Sequence, residues 1–271
     1  MATKRKGAAA GTATARDIPP REFLYGYDLI RKFVSMTIGP GGFAKSTLSV
    51  GEVLSMVSGC GFLGKPTLRE KLLRVAYWNL EDPIDEIMRK IQAACMRHEL
   101  RPDDINGRLF VKSARDQHCI IARMLPSGGG HIVEPMVDAI IEDLRVNQID
   151  VLYIDPFKKC HRVSENDNTM IDMVVDQWTR VAEEANVAVK LAHHTRKNGS
   201  AEIDTESSRG AKAATDAARS VVVVTHDQER GGRRGHQRQS QHLFSHVQRQ
   251  AQPGARSRAL RLVSPGQCRP G

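Results

Sequence analysis

A glycine-rich turn between an apolar run and a helical stretch constrains this chain more than any other feature of its sequence. The helical stretch spans Ser46–Ser58, and the turn before it reads Gly39-Pro40-Gly41-Gly42-Phe43-Ala44-Lys45-Ser46-Thr47. The turn matches the phosphate-binding pattern GxxxxGK[ST] except at Ala44, which replaces the last glycine. A strand, such a turn and a helix in this order favour an α/β fold with the turn at one end of a parallel sheet.

The residue types of this turn suit the binding of ATP with Mg²⁺. Glycines let the backbone curl so that its amides face phosphate oxygens, and the start of the helix adds the positive end of its dipole. Lys45 can donate to the β- and γ-phosphates, and the Ser46 hydroxyl can bind Mg²⁺. Ala44 is unfavourable, by roughly 1 kcal/mol or more, only where its φ is positive. We predict that residues 39–47 hold ATP; a turn without chemical meaning is the alternative.

Short apolar runs alternate with longer helical stretches along the chain. Near-continuous apolar runs are typical of strands buried on both faces of a parallel sheet. The helical pattern is clearest between Asn168 and Asn186, and Asp82 and Pro83 are predicted as the N-cap and first residue of another helix. We therefore predict an α/β fold with a mostly parallel central sheet flanked by helices. The predicted strands are Phe33–Ile38, Val75–Leu80, Leu109–Val111, Val151–Ile154, Val187–Ala192 and Val221–Val224.

Acidic residues follow two of these strands. Asp155 ends the run that begins at Ile149, as does the acid of a Walker B motif, which binds Mg²⁺; a simple capping role is the alternative. Glu81 follows the strand Val75–Leu80 and could act as a general base toward water, although Asp82 competes for this role and a first-turn helix acid is the structural alternative. Ligands of such sheets bind at the carboxyl ends of the strands, so we expect both acids near Lys45.

A pair of histidines ends another predicted strand. His193 and His194 follow Val187–Ala192 and are expected at the same sheet edge as the acids. An imidazole at that edge could sense the γ-phosphate by hydrogen bonding. A structural role for the pair is the alternative.

Composition argues against secreted and membrane-spanning proteins. The basic N-terminus lacks the apolar stretch of a signal peptide, and no run approaches the roughly 20 apolar residues of a spanning helix. The five cysteines show no CxxC or metal-ligand spacing, which argues against a zinc site and predicts free thiols in the cytoplasm. Most of the formal net charge of +9 comes from residues 226–271, which hold nine arginines and two acids. Charge therefore carries little information about the folded part.

The sequence divides into three parts. Residues 1–17 are predicted to be a disordered basic leader, residues 18–225 carry the α/β pattern, and residues 226–271 form a low-complexity tail rich in Arg, Gln and Gly. We expect the tail to be disordered or aberrant. It is either a nucleic-acid-binding tail or the product of a reading-frame shift, since displacing permitted codons for 226–241 by one nucleotide gives a helix-like sequence. The nucleotide sequence of the gene distinguishes the two.

Several short motifs occur in a fixed order between Pro19 and Thr225. They are Pro19–Gly26, the glycine-rich turn, Leu80–Pro83, Asp155–Pro156, Glu165–Asn168, His193–Lys197, and Ser208–Gly210 followed by Asp216–Arg219. In this order they resemble the RepA-like branch of the RecA-type P-loop ATPases, the hexameric replicative helicases of plasmids, phages and integrated elements. The resemblance implies that residues 18–225 form a RecA-like ATPase domain.

The resemblance also implies roles for single residues. Glu81 would be the catalytic glutamate, Asp155 the magnesium-site acid and His194 the γ-phosphate sensor. Arg219 would be an arginine finger that reaches into a neighbouring subunit's site, which in nucleotide hydrolases accelerates turnover by about 10³–10⁵. The alternative for Arg219 is a cation at a helix C-terminus.

Two further segments have open roles. Arg209 is a second choice for the finger, with loop ordering or DNA contact equally open, and residues 196–200 would be either a mobile loop in the channel of a ring or a solvated surface loop. The resemblance implies more strands after Val224, which the tail does not predict, so the sheet is expected to end in an exposed edge.

The implied activity is ATP hydrolysis coupled to single-stranded DNA, as in a helicase or DNA-dependent ATPase that replicates a plasmid, phage or mobile element. The implied assembly is a homo-oligomeric ring, expected to be a hexamer, with ATP and Mg²⁺ as cofactors and no membrane partner. Two alternatives are an ATP-dependent DNA-associated regulator or recombination mediator without unwinding, and a truncated inactive remnant.

Overall fold

Twelve strands, six helices and one 3₁₀-helix make up the part of the chain that the structure describes. This computed structural model describes residues 19–40, 45–66, 72–115, 118–195, 212–226 and 245–250. The strands are β1 (Phe23–Tyr25), β2 (Leu29–Ile30), β3 (Val34–Pro40), β4 (Val75–Asn79), β5 (Leu109–Ser113), β6 (Ala122–Met124), β7 (Gly130–Ile132), β8 (Val151–Asp155), β9 (His161–Arg162), β10 (Ala188–Thr195), β11 (Ser220–His226) and β12 (Ser245–Gln250). The helices are α1 (Lys45–Ser58), α2 (Ile84–Arg97), α3 (Pro102–Ile105), α4 (Glu134–Val146), α5 (Asn168–Glu184) and α6 (Lys212–Ala217), and the 3₁₀-helix η1 is Phe157–Cys160.

The central sheet has the strand order β12-β11-β3-β10-β8-β4-β5. All its neighbours pair in parallel except β11 and β12, so six parallel strands form its centre. Strand β10 lies between β3, which leads into the glycine-rich turn, and β8, which ends at Asp155. The carboxyl ends of these three strands therefore meet at one edge. The predicted α/β fold with a mostly parallel sheet is confirmed.

Helices cover both faces of this sheet. One face packs on α1 and α2, whose apolar residues Val53, Leu54, Ile87 and Ile91 contact the cluster that contains Tyr77 and Tyr153. The other face packs on α4 and α5, where Val137, Val174 and Trp178 share a cluster with Trp78 and Ile154. Because successive side chains of a strand point to opposite faces, continuous apolar runs such as that of β8 satisfy both layers.

The start of α2 differs from the prediction. Pro83 is the N-cap in an extended conformation and the helix begins at Ile84, whereas the sequence predicted Asp82 as N-cap and Pro83 inside the helix. The reason is that other groups hold the Asp82 carboxylate: its Oδ2 accepts from Nζ of Lys90 at 2.6 Å and from Nδ2 of Asn79 at 3.4 Å. The side chain therefore leaves the helix amides uncapped.

Short strands were missed by the sequence analysis. The hairpin β1-β2 and the three-stranded sheet β7-β6-β9 are built from strands of two or three residues, which are too short to show an apolar period. Strand β12 pairs antiparallel with β11, which corrects the expectation that no strand follows Val224, and within the described residues β12 is the end strand of the sheet. Residues 1–17 and most of 226–271 lie outside the described residues, so the predicted domain boundaries stay predictions.

The structure also shows the state of four of the cysteines and tests for membrane-spanning helices. Cys95, Cys119 and Cys160 are buried free thiols, as predicted. Cys60 is disulfide-bonded, which corrects the prediction for this residue. Within the described ranges, no helix combines the length and the apolar character that crossing a membrane requires.

Candidate nucleotide site

Lys45 begins α1 and lies buried at the carboxyl edge of the sheet. Its side chain is 1% exposed, and its Nζ donates to the carbonyl oxygen of Gly39, at the end of β3, over 2.7 Å. A Cβ on Gly39 would lie 2.9 Å from the backbone oxygen of Val224 in β11, so only glycine fits there. Ser46 is half-buried and Thr47 is exposed, while Pro40 ends β3. The predicted residues Gly41, Gly42, Phe43 and Ala44 lie outside the described residues.

The Lys45 ammonium is held in surroundings that disfavour its charge. Burial lowers the pKa of Lys45 to about 8, although the carboxylates of Asp155 and Glu81 act in the opposite direction. Because burial disfavours the ammonium, an anion that enters the site would stabilise its charge. The site is therefore electrostatically prepared for a group such as a phosphate.

Asp155 ends β8 and is also buried, with 2% of its surface exposed. The Tyr77 hydroxyl donates to its Oδ2 over 3.2 Å. Burial first, and then the charge of Asp155, raise the pKa of Tyr77 far above its usual value, so this phenol stays protonated and acts as a donor. The charge of Asp155 acts on both Lys45 and His194, which indicates that the three residues share one site.

Glu81 follows β4 in a loop fixed by a residue that the sequence analysis missed. The Oδ1 of Asn79, the last residue of β4, accepts from the backbone N–H groups of Glu81 at 2.9 Å and Asp82 at 2.8 Å. From β5, the Ser113 hydroxyl donates to the carbonyl of Asp82 at 2.8 Å. After β5, Nε of Arg115 donates to the carbonyl of Glu81 at 3.3 Å. The sequence did contain an indication of this role, since Asn79 places an amide side chain at the end of an otherwise apolar strand.

The two histidines at the end of β10 face opposite sides of the sheet. His194 is paired in register with Gly39, and its Nε2 lies 3.9 Å from Oε2 of Glu81. His193 is buried, and its ring lies 6.0 Å from the ring of Phe157. The geometry thus assigns His194 to the site and His193 to the core.

The protonation of both histidines follows from these positions. Burial and the nearby charge of Lys45 lower the pKa of His194, with Glu81 and Asp155 opposing, so its imidazole is neutral at neutral pH. Burial lowers the pKa of His193 to about 4. A neutral His194 keeps one N–H that can donate to a ligand oxygen.

Arg219 lies at the other end of the strands. Its backbone N–H donates to the carbonyl of Val34 at 2.8 Å, and its guanidinium lies 5.5 Å from the centre of the Phe33 ring. Because Val34 begins β3 and Lys45 follows the end of β3, Arg219 does not belong to the nucleotide site of its own chain. A role across a subunit boundary stays a prediction. Arg209 and residues 196–200 lie outside the described residues.

Mg²⁺ fits the residues of this site only together with a nucleotide. The described residues contain no group of three or more His, Cys, Asp or Glu that could hold a metal by themselves. Ser46 and Asp155 offer a hydroxyl and a carboxylate, the hard oxygen donors that Mg²⁺ accepts alongside phosphate oxygens and water. Tyr77 occupies one position on the Asp155 carboxylate, which leaves further oxygen lone pairs for metal-bound water.

Comparison with known proteins agrees with this geometry. The family profile described as an AAA domain, which represents a P-loop ATPase family, matches residues 3–200. No individual curated protein matches the chain. The match covers the glycine-rich turn, Glu81, Asp155 and His194 and extends over most of the chain. The chain therefore belongs to the AAA domain family of P-loop ATPases.

Proposed function

We propose that this protein hydrolyses ATP in response to single-stranded DNA, as a helicase or DNA-dependent ATPase that replicates a plasmid, phage or mobile element. The observation that carries the ATPase part is the convergence of Lys45, Glu81, Asp155 and His194 from four elements on one sheet edge. The DNA part rests on the resemblance to the RepA-like helicases. Both parts are tested below.

In the proposed reaction, each residue of the site has one task. Lys45 neutralises phosphate charge and Glu81 accepts a proton from the attacking water. Mg²⁺ bound with the nucleotide would be held by Ser46 and Asp155 and would supply further neutralisation of the phosphates. His194, neutral and beside Glu81, donates a hydrogen bond toward the terminal phosphate. The Asn79 contacts hold the Glu81 backbone in place before ATP arrives.

The proposed assembly is a homohexameric ring. Arg219 is far from its own site, as is required of a finger that acts on a neighbour, and closed rings are the common solution for repeated head-to-tail contacts. In such a ring, a site completes its charge compensation only when the neighbouring subunit is in place. Turnover would then depend on assembly.

The experiment measures ATP binding and hydrolysis by the full chain, with and without single-stranded DNA. We expect Lys45→Ala to abolish nucleotide binding, and Glu81→Gln to keep binding while losing about 10²–10⁴-fold in turnover. Glu86→Gln is the matched control, because Glu86 lies in the first turn of α2 and pairs with Arg89. Equal turnover by Glu81→Gln and its parent would refute the assignment of Glu81.

Strand displacement distinguishes the motor from a regulator. Stimulation of hydrolysis by single-stranded DNA, together with unwinding of a tailed duplex, would support the helicase. ATP binding that changes DNA association without turnover would support a DNA-associated regulator instead. A folded chain that retains no nucleotide would refute both functions.

A further inference from the structure

The three-stranded sheet β7-β6-β9 has one face that packs against the domain. Ala122 and His161 are buried and paired in register on β6 and β9. A Cβ on Gly130 of β7 would lie 2.4 Å from Met173 and 2.6 Å from Met170, so this strand rests directly on α5. The side chains next to Ala122, Gly130 and His161 along each strand therefore face away from the domain.

The outward face carries a row of basic side chains. Arg123 of β6 pairs in register with His131 of β7 and with Arg162 of β9, and all three residues are exposed. Neighbouring strands lie about 4.8 Å apart, so the three side chains stand side by side across the small sheet. We call Arg123, His131 and Arg162 the basic row.

No carboxylate among the described residues pairs with either arginine of the row. Arg162 donates to the carbonyl of His161 at 3.0 Å, a contact that orients its guanidinium without neutralising it. Acids near the ends of these strands are already paired: Glu134 with Arg180 at 2.6 Å, and Glu165 with Lys158 at 2.8 Å. The row therefore keeps its positive charge.

Placing two arginines directly opposite each other is unfavourable for the sheet itself. Arg123 and Arg162 are register partners on the parallel strands β6 and β9, and two like charges on neighbouring strands repel each other. An anionic group bound beside both side chains offsets this repulsion, because it attracts both guanidinium groups. Guanidinium groups match phosphate with two parallel hydrogen bonds, so a phosphate backbone is the partner that this arrangement fits best.

The row is connected to the nucleotide site through η1. This 3₁₀-helix begins two residues after Asp155 and leads directly into β9 with Arg162. Its Phe157 contacts the ring of His193, and the charge of its Lys158 acts on His194. A ligand on the basic row is thus connected to the end of β10 by η1 alone.

We propose that the basic row binds the phosphate backbone of single-stranded nucleic acid. Leu125, which follows β6 beside the row, is 43% exposed and offers apolar surface that unstacked bases can contact, whereas the bases of a duplex are internal. The proposal deepens the DNA-dependent function proposed above by naming its contact surface. Binding is measured without ATP, so its failure and the failure of the ATPase proposal are distinguishable.

The experiment uses the full chain and a fluorescein-labelled single-stranded oligodeoxythymidine, with anisotropy recorded over a range of salt concentrations. Each phosphate contact contributes about 0.7 to the slope of log affinity against log salt on a single strand. We expect R123Q/R162Q to reduce that slope by about 1.4 and to weaken binding about 25-fold at about 0.1 M salt. R123K/R162K keeps both charges and should retain the slope.

R89Q/R97Q is the matched control, because it removes two exposed arginines from α2, on the opposite face of the central sheet. It should bind as the parent does, and the arginines of residues 226–271 are present in every variant. Unchanged ATP affinity of R123Q/R162Q verifies its fold. The proposal would be overturned by an unaltered salt slope in R123Q/R162Q or by equal weakening of binding in R123Q/R162Q and R89Q/R97Q. Competition by polyglutamate as strong as that by unlabelled oligodeoxythymidine would also overturn it.

Discussion

Four buried charges connect the helix of the nucleotide site to the rest of the fold. Asp28, Glu52, Lys65 and Lys190 are each no more than 4% exposed. Nζ of Lys65 bonds the Glu52 carboxylate and lies 3.4 Å from Oδ2 of Asp28, which also accepts from Lys190 at 2.8 Å. The Tyr153 hydroxyl donates to the second oxygen of Glu52 at 2.6 Å. Two acids and two bases thus balance inside the protein.

Removing one charge from this group should be more harmful than removing an ion pair. Glu52→Gln leaves the buried Lys65 with Asp28, at 3.4 Å, as its one remaining carboxylate within this group, and breaking a buried pair in this way destabilises a protein by about 3–5 kcal/mol. Glu52→Gln/Lys65→Met removes both partners and leaves Asp28 with Lys190. We expect the double variant to be more stable than Glu52→Gln alone, with a coupling energy of up to about 3 kcal/mol.

Urea unfolding followed by tryptophan fluorescence measures these free energies. Both tryptophans, Trp78 and Trp178, are buried and report on the core. Burial opposes the charge of Glu52, but Lys65 and Lys190 hold the pKa of Glu52 below its usual value. The stabilisation by Glu52 is therefore present above its unfolded pKa and is lost as the pH falls through its folded pKa.

Glu52→Gln should lack this part of the acid-dependent loss of stability. The control Glu86→Gln, whose side chain is 42% exposed, should leave both the stability and its pH dependence unchanged. If the double variant loses as much free energy of unfolding as Glu52→Gln and Lys65→Met lose together when made singly, the two charges act independently. The reasoning from buried charge balance would then be wrong.

Three further predictions concern the site. ATP affinity should fall as the pH rises above about 8, because the Lys45 ammonium then loses its proton; a fluorescent ATP analogue titrated at several pH values checks this, and a flat profile would contradict it. Asn79→Ala should lower kcat more than ATP affinity and destabilise the fold by about 1–3 kcal/mol, since two loop amides lose their acceptor; steady-state kinetics and urea unfolding measure both effects, and unchanged kcat would show that Asn79 does not position Glu81. Arg219→Ala should lose turnover that mixing with Glu81→Gln subunits restores, and absence of restoration at every mixing ratio would argue against a finger in trans.

The sequence alone determined the local parts of the site. The strand, turn and helix around Lys45 and the apolar run ending at Asp155 are contiguous in the chain, so residue types and spacing suffice to predict them. Buried parallel strands must be apolar on both faces, which made the central strands recognisable as well. Glu81 and His194 were expected at the same edge because each follows such a strand.

Tertiary structure alone decided how distant segments meet. The different roles of His193 and His194 follow from the tertiary structure, because η1 lies on one side of β10 and Lys45 lies on the other. Asn79 gained its role from a loop conformation, and the basic row arose from the register of three strands too short for any periodic pattern. These features depend on contacts between residues far apart in the chain, whose energies depend on distance and burial that residue spacing does not encode.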